Sequence, residues 1–86
     1  MAATVFLAED HQIVRQGLRA ILEHAQDLKL VGDAGNGLET VHLVGRLKPD
    51  VLVLDLMMPE LGGLEVARQV RELSSRTKIV VLSRSS

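Results

Sequence analysis

Val51-Leu52-Val53-Leu54 is an unbroken apolar run, rich in β-branched residues and too short for a helix. Such a run reads as a strand buried on both faces of a parallel sheet. Asp55 stands at its C-terminal tip. A carboxylate there is costly unless it is solvated, paired or metal-bound, because the residues before it carry the chain straight through the core. Pro59 and the pair Gly62-Gly63 follow within eight residues, so the segment after Asp55 is a loop of fixed shape. In open parallel sheets the ligand crevice lies outside the carboxyl ends of the strands, where this loop belongs.

Three further short runs accompany this one. Thr4 to Ala8 also ends in acid, at Glu9-Asp10. Leu28 to Val31 is a strand left by the turn Gly32-Asp33-Ala34-Gly35-Asn36-Gly37, and Lys78 to Ser83 is a fourth strand ending in a hydroxyl. That glycine cluster lacks the Gly-Lys-Ser/Thr ending of a P-loop and does not match Gly-x-Gly-x-x-Gly, so turn chemistry accounts for it. From His11 to Ala25, Ile13, Val14, Gly17, Leu18, Ile21, Leu22 and Ala25 have the spacing of a helix with one buried stripe. Arg15, Gln16, Arg19, Glu23 and Gln26 fall on its other side. Asn36, with Glu39 three residues on, predicts an N-cap opening a helix through Leu47 that Pro49 stops. Leu64, Ala67, Val70 and Leu73 give a third helix ending near Ser74-Ser75.

The order is therefore β-α-β-α-β-α-β, with strands beginning about every 24 residues, and right-handed crossovers place such units in one parallel sheet with helices on both faces. Eighty-six residues allow one domain, burying a little over roughly 60% of the surface its unfolded form exposes. Phe6 is the sole aromatic, so the core must be built of Val, Leu, Ile and Ala. A formal charge of −1 with ten scattered Lys and Arg residues gives nucleic-acid contact by this segment no electrostatic support. Without cysteine there is no disulfide framework and no thiol chemistry. No apolar run approaches the roughly 18 residues of a membrane span, and no leader pattern opens the chain. A soluble, cytoplasmic protein without membrane contact is expected.

The strands beginning at Thr4 and Val51 are natural neighbours, which brings Glu9, Asp10 and Asp55 to one edge. Carboxylates about 5 Å apart repel by roughly 3 kcal/mol per pair at an effective dielectric near 20. A hard divalent cation, Mg²⁺ (or Mn²⁺), offsets such charge. A cation beside a carboxylate oxygen suits phosphoryl transfer, in which the carboxylate attacks phosphorus. The Ser83 hydroxyl, at the end of an adjacent strand, is placed to donate to a phosphoryl oxygen. Bland alternatives exist for each part: Glu9-Asp10 as helix-end capping, Asp55 as a turn residue, His11 as a solvated first-turn histidine with His24 and His42 on helix surfaces, and Met57-Met58 as loop packing.

Glu9-Asp10-His11 with Val14 to Arg19, Val31 to Gly37, Lys48 to Pro59 with Gly63-Leu64-Glu65, and Ile79 to Ser83 together make the sequence resemble the receiver domain of bacterial two-component response regulators, most closely the NarL/FixJ type. The resemblance covers the whole chain and implies a flavodoxin-like (CheY-like) doubly wound parallel α/β sheet. It further implies that Asp55 is the phosphoacceptor and that Glu9, Asp10, Asp55 and the main-chain carbonyl of Met57 hold the metal. Ser83 matches the switch hydroxyl, and Pro59 and Gly63 shape the loop. The implied phosphodonor is a sensor histidine kinase, the implied output DNA binding in transcription regulation, and the implied behaviour a slowly self-dephosphorylating switch instead of a turnover enzyme. By the same resemblance, residues 1–86 are the N-terminal part of a receiver. The fourth helix, the fifth strand with the site lysine, the fifth helix and the output domain are expected to be missing. The fourth strand and part of the first helix's apolar stripe should then be exposed, favouring self-association. Two competing readings are a phosphorylation-incompetent form that only associates with itself or a partner, and a nucleotide- or flavin-binding domain. The latter lacks both a glycine fingerprint and an aromatic to stack on a flavin.

Overall fold

Every strand is parallel to its neighbours in a computed structural model that describes residues 2–56, 58 and 61–82. The elements are β1 (Ala3–Ala8), α1 (Gln12–His24), β2 (Leu28–Ala34), α2 (Gly37–Leu47), β3 (Val51–Asp55), α3 (Gly63–Leu73) and β4 (Lys78–Leu82). The sheet order is β2-β1-β3-β4, so the strands of the Thr4 and Val51 runs lie side by side as the sequence implied. This is the doubly wound architecture expected from the alternation of short apolar runs and amphipathic helices.

The pleat divides the side chains between two layers. Phe6 and Ala8 of β1 and Leu52 and Leu54 of β3 are buried with Val44 of α2 and Val66 and Val70 of α3. Val5 and Leu7 of β1 are also buried and, by alternation, point to the opposite face, where α1 packs against β1 and β2. Asn36 Oδ1 accepts the Glu39 N–H at 2.8 Å, capping α2 as expected. Lys48 closes that helix in the left-handed conformation (φ 47°) before Pro49.

One difference from the sequence reading has a physical cause. β2 runs on through Gly32, Asp33 and Ala34, which the turn chemistry had assigned to a loop. Phe6 lies opposite Gly32 after a register shift between Val5 and Phe6, and a Cβ at Gly32 would come 2.9 Å from the Phe6 ring. The glycine is there for the ring and not for a turn. The apolar stripe of α1 is partly exposed, as expected, and none of its residues is fully buried. Leu18 and Leu22 are half-buried while Ile13 (85% exposed), Val14 and Ile21 (69%) face outward, so the helix leans on one edge of its apolar stripe.

The amino ends of the strands are tied by polar side chains. Asp50 Oδ2 accepts from Thr4 N (2.8 Å) and Thr4 Oγ1 (3.1 Å), and Asp50 N donates to Thr4 Oγ1 (2.8 Å). Arg76 pairs with the same carboxylate, and Thr77 Oγ1 donates to Pro49 O at 2.6 Å. These bonds, together with the Lys78 N–H to Asp50 O contact, fix the heights of β1, β3 and β4 relative to one another.

Candidate metal centre

Sheet register alone brings the acids together. Ala8 pairs with Leu54 across β1 and β3, so the next residues, Glu9 and Asp55, leave the sheet on the same rim. Glu9 N–H still donates to Ala34 O at 3.0 Å, holding the residue against β2 before the chain turns into α1. Asp55 lies opposite Leu82 of β4. Both side chains are buried, Glu9 at 2% exposure and Asp55 at 1%, whereas Asp10 and His11 reach toward solvent at 21% and 51%.

One donor atom from each of Glu9, Asp10, His11 and Asp55 can be chosen so that all four lie within 4.8 Å of one another. Burial pushes the Glu9 carboxyl above its ordinary value. The His11 N–H at 3.1 Å opposes that shift, and contact with Asp55 and Asp10 adds to it. A carboxyl pushed up by burial and by other carboxyls is short of positive charge. Hard oxygen donors so arranged fit a divalent cation of the Mg²⁺ or Mn²⁺ kind.

Capping does not explain Glu9-Asp10. α1 begins at Gln12 with His11 at its N-cap, and its first turn contains no acid. Gly63, the first residue of α3, lies against the segment that leaves Asp55: a Cβ there would come 2.5 Å from Leu56 Cα and 2.9 Å from Leu56 O. Gly62 has open space in the same test. Met57, Pro59 and Ser83 lie outside the described residues. The chain's three lysines, Lys29, Lys48 and Lys78, all stand at the amino ends of strands, as expected from sequence.

Sequence reasoning missed one residue at this rim and gave another its bland reading. His11, read as a solvated first-turn histidine, is half exposed yet joins the donor set, with Nδ1 3.2 Å from Asp10 Oδ1 and 3.5 Å from Glu9 Oε2. Arg15, assigned to the polar side of α1, instead donates from Nη1 to the Glu9 carbonyl at 2.7 Å. It lies close to Leu18 and Leu22 around the helix, on the edge that turns inward, and nothing local distinguishes that edge.

Known proteins place this geometry. The profile of the response regulator receiver domain matches residues 5–86. The nitrate/nitrite response regulator NarL of Escherichia coli is 40% identical over 84 residues, covering 98% of this chain and 39% of the relative. The transcriptional regulatory protein LiaR of Bacillus subtilis is 45% identical over 80 residues, 92% of this chain and 37% of the relative. The chain thus spans less than two-fifths of these curated relatives. Among solved structures, the receiver domain of a NarL response regulator from Mycobacterium tuberculosis superposes with a TM-score of 0.91 at 29% identity, covering 99% of this chain and 68% of that one. A LuxR-family response regulator from Aurantimonas gives 0.91 at 30% identity, covering 100% and 61%.

Proposed function

Because the chain belongs to the response regulator receiver domain family, we propose that Asp55 accepts a phosphoryl group from the phosphohistidine of a sensor histidine kinase. Glu9, Asp10 and Asp55 would hold the Mg²⁺ (or Mn²⁺) that the transfer requires. The observation that carries this reading is the gathering of those carboxyls at one rim, with donor atoms within 4.8 Å and two of the three side chains buried.

In the transfer an Asp55 oxygen attacks phosphorus. A P–O bond forms, the P–N bond to the histidine breaks, and the departing imidazole keeps the electron pair and takes up a proton. A cation held by Glu9, Asp10 and Asp55 would neutralise charge on the phosphoryl oxygens. Glu9 and Asp10 position that charge, and Glu9, held by the Ala34 carbonyl and the His11 N–H, gives the rim a fixed anionic floor. By family resemblance the Met57 carbonyl adds a metal ligand, Ser83 donates to the phosphoryl group, and Pro59 and Gly63 shape the loop. The switch so made controls DNA binding by an output domain in the cytoplasm, with slow self-dephosphorylation and without turnover. The 86 residues themselves act as the receiver part and make no direct nucleic-acid contact. No helix among the described residues is long and apolar enough to cross a membrane.

The test is incubation with Mg²⁺ and a small acyl phosphate, followed by intact-mass spectrometry. The gain of one phosphoryl group, absent in Asp55→Asn and in chelator, is expected. A gain that persists in Asp55→Asn refutes the assignment.

A further inference from the structure

Arg15 is the residue whose placement the reaction does not yet explain. From α1 its side chain crosses to the carboxyl rim, 22% exposed, and Nη1 donates to the Glu9 carbonyl at 2.7 Å. The Glu9 backbone is thereby held twice, through its N–H to Ala34 O at 3.0 Å and through its carbonyl to Arg15. Glu9 lies beyond the last β1 residue in strand pairing, so the guanidinium takes over where the ladder stops. Asp33, at the end of β2, steadies the head group with Oδ1 3.7 Å from Arg15 Nε, and its other oxygen takes Arg19 Nη1 at 2.9 Å.

Gly35 completes the arrangement. The three nearest atoms to a Cβ built there all belong to the Arg15 guanidinium, at 2.5, 3.5 and 3.8 Å. No glycine among the described residues has a positive φ, so alanine suits this backbone. Gly35 is small because the head group lies over it. An added methyl would displace the end of a flexible side chain and leave the main chain in place.

We infer that Arg15 is a positioning residue for the cation centre. It pins the Glu9 carbonyl so that the consecutive carboxyls of Glu9 and Asp10 start from one fixed backbone, and Gly35 keeps the space that lets it do so. This rests on the reading of the rim as a divalent-cation site. Partners that orient metal ligands are worth 10- to 100-fold in affinity, of the order of tenfold for a single bond to the backbone.

The test is Mn²⁺ binding followed by electron paramagnetic resonance, with thermal midpoints measured on the same samples. Arg15→Ala should weaken binding by about tenfold, and Arg15→Lys, which keeps a cationic donor, should restore part of it. Gly35→Ala should weaken binding in the parent chain and change nothing in an Arg15→Ala background, because both substitutions break the same bond. Arg19→Ala removes the closer ion pair to Asp33 and should lower the midpoint without moving the affinity, which separates positioning from general support. Unaltered Mn²⁺ affinity in Arg15→Ala, or an equal effect of Gly35→Ala in both backgrounds, overturns the inference while the cation site stands. Mn²⁺ binding that is absent from the parent chain, or untouched by Asp55→Asn, overturns the site reading and this inference with it.

Discussion

Removing the charge of Asp55 should stabilise the cation-free protein. Asp55 faces both Glu9 and Asp10 with donor atoms within 4.8 Å, and two unit charges at that limit repel by about 3.5 kcal/mol at an effective dielectric of 20. Asp10 is partly in water and its share is screened. Glu9, pushed up by burial and by its carboxyl neighbours, relieves another share by binding protons more readily. A net gain of about 1–3 kcal/mol for Asp55→Asn remains after these discounts. In a domain of this size each kcal/mol moves the midpoint by about 4–8 °C, so the variant should melt on the order of 4–24 °C higher in chelator. Saturating Mg²⁺ should reverse the ranking, since a cation at 100 times its Kd stabilises the parent by about 2.7 kcal/mol and the variant has lost a ligand. Circular-dichroism melts of both proteins, with chelator and with a Mg²⁺ series, decide the matter. A lower midpoint for Asp55→Asn in chelator, or an equal rise of both with Mg²⁺, would refute the reasoning.

Three further outcomes are expected. Asp50 is held below its ordinary 3.8, first by the Thr4 N–H, then by the Thr4 hydroxyl and by Arg76. Its folded value lies below the unfolded one, so its contribution is complete above about 3.8 and is lost as pH falls through the folded value. Asp50→Asn should therefore cost stability at neutral pH and nothing once both forms are protonated, as acid titration of the two melting curves will show. Glu9 carries the opposite sign: its folded value is raised above 4.5, so without cation its stabilising protonated form is lost as pH climbs from 4.5 through the raised value. Glu9→Gln should flatten that decline, whereas an unchanged slope would remove Glu9 as its source. Asn36→Ala should cost about 1 kcal/mol by urea denaturation, through loss of the 2.8 Å cap on α2, and a change below a few tenths would show the cap to be idle.

How far the chain could be read varied with the range of the interactions that decide each part. Val51 to Leu54 and Thr4 to Ala8 declare themselves because a strand buried on both faces leaves no polar residue inside the run, and the α2 cap because Asn36 and Glu39 are neighbours in sequence. Glu9 and Asp55 followed from topology, since strands paired at Ala8 and Leu54 must release their next residues on one rim. Gly32 was misread because its reason, the Phe6 ring, is distant in the chain and reaches it through a register shift. In α1 the partly exposed stripe was legible, but the edge that turns inward was not. Ile13, Val14, Gly17, Leu18, Ile21, Leu22 and Ala25 form a stripe wide enough to lean on either edge, and periodicity does not say which. The edge that turned inward carries Leu18, Leu22 and Arg15, so an arginine counted as solvated became a brace for Glu9.

The two rims of the sheet show why the acidic cluster is better explained by a ligand than by the fold. Asp50 and Glu9 both sit at strand ends, Asp50 just before β3 and Glu9 just after β1. Asp50 is met by an N–H, a hydroxyl and a guanidinium, and its proton affinity falls. Glu9 is met by one N–H but also by the carboxyls of Asp55 and Asp10, and its proton affinity rises. An acid kept for stability resembles Asp50, since a fold gains nothing by gathering like charges in a site where two of the side chains are almost fully out of water. The carboxyl rim therefore carries an electrostatic cost that a divalent cation would offset. The same cost predicts that cation-free protein should open first at β1–α1 and at the segment after Asp55. Hydrogen exchange at His11 and Leu56 that slows on adding Mg²⁺, with the amides of Thr4 and Lys78 unchanged, is the expected pattern. Uniform slowing at both rims would instead mean that the cation acts on the fold as a whole.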